Sequence, residues 1–424
     1  MINTDYFRDK LVTIIGLARS GTACANLLYD LGAQVSVTEI RHDNTALASK
    51  RRLKSDNIKT ELGRHSREFI EGRDLVIISP GITDDAKPVL WAKELKVPVI
   101  SEIEVGWILC AGSVIAVTGS NGKTTVATLI SKVIEAAGKK AHLCGNIGNP
   151  FCLEVAKVEN DDFVVLEVSS FQLEKIERFR PKIAVILNFS RNHLDRYKDM
   201  QEYLAAKKRI FMNQEKSDYL VLNKDDPALI NLPREAKSSH IYFSKKRGLN
   251  PNQAAVLAVA QIMEIDKRLC LEEFFKFRGI EHRLELVDEI NNITFINDSK
   301  ATTVESAIWA LNNISRPIIW IAGGKHKKLD YKSILELADK KVKSLVLIGE
   351  AKEKIKKALG GCLTTEYAAD LKEAVHKSFA LASKGDCVLL SPMCSSFDMF
   401  SDYEERGRFF KQAVADLAKS KIPR

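Results

Sequence analysis

Short apolar runs, bounded by turn residues and separated by helical patterns, constrain this chain of 424 residues more than any other feature. Leu11–Ile15, Gln34–Thr38 and Leu75–Ser79 are such runs in the first hundred residues. Ser113–Thr118, Phe163–Val168, Ile183–Leu187 and Tyr219–Leu222 follow, then Thr294–Asn297, Pro317–Ala322, Ser344–Ile348 and Cys387–Leu390. A strand that is apolar on both sides must be covered on both faces. The stretches between most of these runs are long enough for a crossover helix. The expectation is an α/β chain of parallel sheets flanked by helices. At ~150 residues per domain the length allows two or three domains. Fresh strand patterns begin after 101–111 and after 278–285, which divides the chain into 1–104, 105–280 and 281–424.

Composition removes several classes. Hydrophobic residues at 45% and charged residues at 28% exclude fibrous and disordered chains. The eight cysteines form no CxxC pair, which argues against zinc and fits reduced thiols in a cytosol. Asp5, Arg8, Asp9 and Lys10 make the first ten residues unlike a signal peptide. No uncharged apolar run reaches the ~18 residues a membrane span needs. A cytoplasmic protein without membrane insertion is expected. The net charge of +9 is a thin excess over 424 residues; it fits plain solubility first, and phosphorylated small-molecule ligands at least as well as nucleic acid. The basic runs Lys50–Lys54 and Lys340–Lys343 are short and accompany no nucleic-acid motif, so no nucleic-acid partner is expected.

Ala116-Val-Thr-Gly-Ser-Asn-Gly-Lys-Thr-Thr125 leaves a strand and opens a helix near Lys123. Glycines let backbone N–H groups wrap a phosphate, and the helix N-terminus adds positive potential. Gly119, Ser120, Asn121, Gly122, Lys123, Thr124 and Thr125 are therefore candidate ATP contacts. Lys123 reaches terminal phosphates and the Thr124 hydroxyl suits Mg²⁺. Val117 stands where a strict GxxxxGK[ST] loop has its first glycine, so this loop is shorter. Glu167 ends a second apolar strand, just before Ser169-Ser170, and an acid at that edge is placed to hold Mg²⁺.

These residues resemble those of the Mur ligases, ATP-dependent amide-bond-forming enzymes of cell-wall precursor synthesis. Thr118-Gly-Ser-Asn-Gly-Lys-Thr124 resembles their shortened TGTNGKT loop. Cys144-Gly-Asn-Ile-Gly148, Asn188-Phe-Ser-Arg-Asn-His-Leu-Asp-Arg196 and Ala205-Ala-Lys-Lys-Arg-Ile210 resemble further family segments, in order. So do Glu281-His-Arg-Leu-Glu285 and Asn297-Asp-Ser-Lys-Ala-Thr302. Ser169-Ser-Phe-Gln-Leu173 and Ser391-Pro-Met-Cys-Ser-Ser-Phe-Asp-Met-Phe400 point to the branch that joins D-glutamate to UDP-N-acetylmuramoyl-L-alanine. The resemblance implies three domains: an N-terminal Rossmann-like domain for the UDP substrate, a central P-loop ATPase-type parallel sheet with flanking helices, and a C-terminal Rossmann-like domain for the amino acid.

The implied chemistry activates a carboxylate as an acyl phosphate and then attacks it with an amine, releasing ADP and phosphate. The triphosphate and both substrates are negative, so cations and N–H groups must offset their repulsion. The resemblance gives Lys123, His193, Lys207 and Lys300 catalytic roles. It implies Thr124, Glu167, His193 and a carbamylated Lys207 as Mg²⁺ ligands, and Asn250, Arg283 and Asp298 as further ATP contacts. Arg19, Ser20, Glu39, Arg41, Ser79 and Asn146 would meet the UDP substrate. Thr302, Lys327, Ser396, Phe397 and Tyr403 would meet D-glutamate. A monomer is expected.

Three positions depart from the family pattern. Leu249-Asn250 stands where His-Asn is usual, Tyr403 where Phe is usual, and Ile40 where Thr often meets uracil. Gly16-Leu-Ala-Arg-Ser-Gly21 also invites a nicotinamide-dependent oxidoreductase, but Ala18 replaces the glycine that admits a pyrophosphate, and that reading leaves Gly119–Thr125 unexplained. The sequence also leaves room for a ligase acting on another amino acid, and for a nucleotide-binding regulator without ligase chemistry.

Overall fold

A computed structural model describes residues 4–190, 196–245, 248–277, 279–326, 329–359, 361 and 363–421. The chain divides into two compact units, Met1–Phe277 and Arg278–Arg424. Among the described residues no helix is long and apolar enough to cross a membrane.

The first unit holds two parallel sheets. One comprises β1 (Leu11–Ile15), β2 (Gln34–Glu39), β3 (Lys59–Leu62), β4 (Leu75–Ile78) and β5 (Val99–Ser101), in the order β3-β2-β1-β4-β5. The other comprises β6 (Ser113–Thr118), β7 (Ala141–Gly145), β8 (Phe163–Glu167), β9 (Ile183–Ile186), β10 (Tyr219–Asn223) and β11 (Ser239–Phe243), in the order β11-β10-β9-β6-β8-β7. Both sheets reverse direction of winding at their centre. Side chains carried on the C-terminal ends of the strands beside that reversal converge there, which is where α/β sheets bind ligands.

One buried core runs from the first sheet to the second. Val35 and Val37 of β2, Ile103 and Val105 of the helix Glu102–Ile108, and Val164 and Leu166 of β8 all belong to it. The other face of the second sheet packs on the helices Lys123–Ala136, Pro251–Ile262 and Lys267–Lys276 through Val126, Ile130, Val259 and Phe274. Continuous apolar strands need this double cover, so the local pattern and the packing agree.

The second unit holds β12 (Glu285–Ile290), β13 (Ile293–Asn297), β14 (Ile318–Gly323), β15 (Val342–Ile348), β16 (Thr364–Tyr367) and β17 (Cys387–Leu390), in the order β12-β13-β17-β14-β15-β16. β12 runs antiparallel to β13, and the remaining pairs are parallel. Trp320 fills one face of this sheet and Phe295 the other. Thr302 follows β13, and Ser396 and Phe397 follow β17.

Candidate active site

The loop between β6 and the helix Lys123–Ala136 forms a cradle tied to Asn188. Gly122 caps the helix at φ +83°, a left-handed conformation that suits glycine. A Cβ on Gly122 would also lie 2.5 Å from Oδ1 of Asn252, so the space is closed as well as the conformation. Asn188 spans the loop: its Oδ1 accepts from the Asn121 N–H at 2.8 Å and its Nδ2 donates to the Asn121 carbonyl at 3.0 Å. Ser120 is pinned too, its N–H donating to Asn188 O at 3.1 Å and its hydroxyl to Ser190 O at 3.1 Å. Thr124 is buried in the first turn and Thr125 is half-buried beside it.

Lys123 folds back over the cradle and donates to Gly119 O at 3.0 Å and Ser120 O at 3.2 Å. Lys207, near the end of the helix Met200–Lys208, donates to the same Gly119 O at 3.0 Å. Only 1% of Lys207 is exposed. Burial, and then the Lys123 charge, hold its ammonium well below the usual lysine range. Its Nζ lies 4.6 Å from the Tyr203 ring centre, and the Tyr203 hydroxyl lies 3.4 Å from Ser120 Oγ.

Glu167 stands across from Val117 in the β6–β8 register, one strand from the loop. Asn146 donates to its Oε1 at 2.7 Å, while its Oε2 is buried with no hydrogen-bond partner among the described residues. A buried orphan carboxylate oxygen is a group that wants a cation or a donor. Glu167 and the Thr124 hydroxyl offer oxygen donors of the kind that a hard cation such as Mg²⁺ takes.

In the first sheet, Glu39 ends β2 with 5% of its surface exposed. It accepts from the Leu17 N–H at 2.9 Å, the Arg41 N–H at 3.0 Å and Arg41 Nε at 2.9 Å. Burial alone would raise this carboxyl; the Arg41 guanidinium and the two amides hold it below its ordinary value. Ser79 donates to Gly16 O at 3.2 Å, and a Cβ on Gly21 would sit 2.0 Å from that same oxygen. Gly21 is thus needed for the helix to pack on the turn. Arg19 is exposed, and its Nη2 donates to Gly148 O. Ser20 is half-buried at the start of the same helix. The contact brings the glycine turn of the first sheet beside the Gly145–Gly148 turn that carries Asn146.

In the second unit, Asp298 follows β13 and is 3% exposed. It accepts from Ser391 Oγ at 2.8 Å and from the Leu284 N–H at 3.2 Å. Burial pushes its carboxyl up to about 7 against these donors and the Arg283 charge. Arg283 lies over the Trp309 ring at 5.2 Å, and Lys300 Nζ lies 5.8 Å from the Tyr403 ring centre. Thr302 N–H donates to Lys300 O at 2.9 Å. Ser396 is buried at 2% while Phe397 is exposed at 57%.

Several functional neighbours have no short-range sequence signal. Asn252, against Gly122, lies on a helix 130 positions away. Buried Arg406 donates to Ser299 Oγ, Ser299 O and Cys394 O, tying the segments on either side of Lys300 and Ser396. Asn250 accepts from the Gln253 N–H at 3.0 Å as the N-cap of the helix Pro251–Ile262, so its Oδ1 has a structural task there. His193 and Lys327 lie outside the described residues.

Known proteins carry the same architecture. Three family models match: the Mur ligase MurD-like N-terminal domain over residues 10–101, the Mur ligase middle domain over 117–291, and the Mur ligase glutamate ligase domain over 282–394. The chain belongs to the Mur ligase family. It is 40% identical to a UDP-N-acetylmuramoylalanine–D-glutamate ligase of Geotalea uraniireducens, over 96% of this chain and 98% of that protein. It is 36% identical to one of Caldanaerobacter subterraneus, over 97% and 99%. Among solved structures, MurF of Thermotoga maritima in complex with ADP matches with a TM-score of 0.58 at 15% identity, covering 99% and 98%. MurC of the same organism matches at 0.57 and 19%, covering 97% and 99%. At those identities the structures support the Mur ligase fold alone.

Proposed function

We propose that this chain joins D-glutamate to UDP-N-acetylmuramoyl-L-alanine in an ATP-dependent ligation that releases ADP and phosphate. The observation that carries the reading is that Lys123 and the buried Lys207 share one carbonyl of the phosphate loop, with the orphaned Glu167 oxygen at the end of the strand next to β6. That set occurs in a chain related over 96–97% of its length to D-glutamate ligases.

The loop amides and Lys123 bind the phosphates. The substrate carboxylate oxygen bonds to the terminal phosphorus of ATP, and the bond to ADP breaks. The D-glutamate amine then bonds to the acyl carbon, the carbon–phosphate oxygen bond breaks, and the amine loses a proton. Mg²⁺, when bound, neutralises phosphate charge as it develops. Glu167, Thr124 and His193 are its proposed protein ligands, with Lys207 as a carbamate. A neutral amine attacks CO₂, forming N–CO₂⁻ and releasing one proton. The burial of Lys207 and the nearby Lys123 both favour that neutral amine. Carbamylation also gives the Lys123 cation a partner of opposite charge.

Arg19, Ser20, Glu39, Arg41, Ser79 and Asn146 are the proposed UDP-substrate contacts of residues 1–104 and the adjoining turn. Among the second unit's residues, Arg283 and Lys300 are the proposed cations for the transferring phosphoryl group and Asp298 is a proposed ATP contact; among the first unit's, Asn250 is a proposed ATP contact. Thr302, Lys327, Ser396, Phe397 and Tyr403 are proposed for D-glutamate, and 281–424 as its domain. A cytoplasmic monomer completes the reading.

The test is ADP release from purified protein with Mg²⁺-ATP, UDP-N-acetylmuramoyl-L-alanine and a panel of amino acids. D-glutamate should give far more product than L-alanine or L-lysine. Equal product with all three would overturn the proposal.

A further inference from the structure

Arg196 joins parts of the first unit that no single element spans. It is 13% exposed at the side chain. Its Nη1 donates to Pro80 O at 3.3 Å and its Nη2 to Ile82 O at 3.0 Å. The same guanidinium grips Glu174 with Nε to Oε1 at 3.2 Å and Nη2 to Oε2 at 2.6 Å. It lies flat enough on Phe171 to bring Cζ within 4.4 Å of that ring centre. A planar fork that serves two carbonyls, one carboxylate and one aromatic face is a task that lysine fulfils only in part.

Each end of this clamp leads to a proposed binding group. Pro80 and Ile82 follow β4, and Ser79 beside them donates to Gly16 O of the glycine turn. On the other side, the Tyr197 hydroxyl donates to Glu174 Oε1 at 2.6 Å. The Tyr197 ring packs 5.2 Å from the Tyr203 ring. Tyr203 in turn meets Ser120 of the phosphate loop and lies under Lys207. The path is contiguous through hydrogen bonds and packed rings from the first sheet's turn to the ammonium beside Gly119.

We propose that Arg196 is a positioning residue that couples occupation of the Gly16–Gly21 turn to the geometry of the phosphate loop and Lys207. The inference rests on the proposed reading in that it takes the turn as the UDP-substrate end. The linkage is reciprocal: if the acceptor tightens nucleotide binding through this clamp, nucleotide tightens acceptor binding by the same factor.

The experiment measures the Kd of a non-hydrolysable ATP analogue with Mg²⁺, by calorimetry, with and without UDP-N-acetylmuramoyl-L-alanine. The proteins are the wild type, Arg196→Met, Arg196→Lys and Glu174→Gln. In the wild type the acceptor should tighten the analogue roughly tenfold, within the usual range of coupling between sites. In Arg196→Met and Glu174→Gln that factor should fall toward one, while the Kd without acceptor stays within about twofold; Arg196→Lys should keep part of the factor. A wild type without coupling, or variants that retain all of it, would overturn the proposal. Variants that lose analogue binding without acceptor as well would reduce Arg196 to a purely structural role and also overturn it. Failure of the ligase reading looks different: the coupling factor would be present and ADP release with D-glutamate absent.

Discussion

Lys123 and Lys207 donate to one carbonyl oxygen, that of Gly119, each at 3.0 Å. Two ammonium groups on one acceptor repel, and the buried member has the stronger reason to lose its proton. A neutral Lys207 at ordinary pH is what reaction with CO₂ requires. Lys207→Ala should therefore lose roughly 10–100-fold of ADP release, the scale expected when a group that tunes a metal site is removed. Short carboxylates such as formate or acetate should restore part of it. For the wild type, stripping CO₂ from the buffer should lower the rate and bicarbonate should return it. A variant as active as the wild type would remove the carbamate from the mechanism.

Gly122→Ala tests the cradle. At φ +83° an alanine carries a left-handed penalty of ~1–2 kcal/mol, and its Cβ meets Asn252 besides. Thermal unfolding should shift down by a few degrees, while ATP affinity should fall more steeply, by about tenfold or greater. Gly122→Ala with Asn252→Ala relieves the contact but not the backbone strain, so it should recover only part of the affinity. Full recovery in the double variant would mean that crowding alone makes Gly122 necessary.

The division between what sequence patterns reveal and what they hide follows the sheets. The strands legible as apolar runs, such as Ser113–Thr118 and Cys387–Leu390, lie inside their sheets, with partners on both sides and cover on both faces. Lys59–Leu62, Val99–Ser101, Ala141–Gly145, Ser239–Phe243, Glu285–Ile290 and Thr364–Tyr367 carry no such run or only three residues of one, and each is a sheet edge. An edge strand is half-covered, so residues such as Lys59, His142, Ser239 and Glu366 are tolerated there. The site divides similarly. Gly119–Thr125 and Glu167 are legible because strand, turn and helix are local. Asn252 on Gly122 and Arg196 on Pro80 and Ile82 join residues more than a hundred positions apart, and no spacing rule reaches that far.

Glu167→Gln separates metal binding from packing. The amide Oε1 can still accept from Asn146, so the turn that holds Asn146 should survive. The second position becomes a donor where a buried acceptor oxygen was aimed. The Mg²⁺ concentration that gives half-maximal ADP release should rise roughly 10–100-fold, with the unfolding temperature nearly unchanged. An unaltered Mg²⁺ titration would remove Glu167 from the ligand set.

Asp298 makes the second unit's stability depend on pH. Its carboxyl titrates near 7 in the folded chain against 3.8 for the ordinary side chain, because burial disfavours the charge more than Ser391, Leu284 and Arg283 favour it. Between those values the folded state holds a proton that the unfolded state has released. Stability from this group is therefore intact below about 4, declines as pH rises from 4 to 7, and is lost above 7. Asp298→Asn keeps an acceptor for Ser391 and cannot ionise. Unfolding temperatures of both proteins at pH 5, 6 and 8 read the difference directly. The wild type should lose ground to the variant as pH rises through this window, and the gap should stop changing above pH 8. A gap that stays constant from 5 to 8 would mean that Asp298 is already ionised in the folded chain, with Arg283 and the Ser391 hydroxyl outweighing its burial.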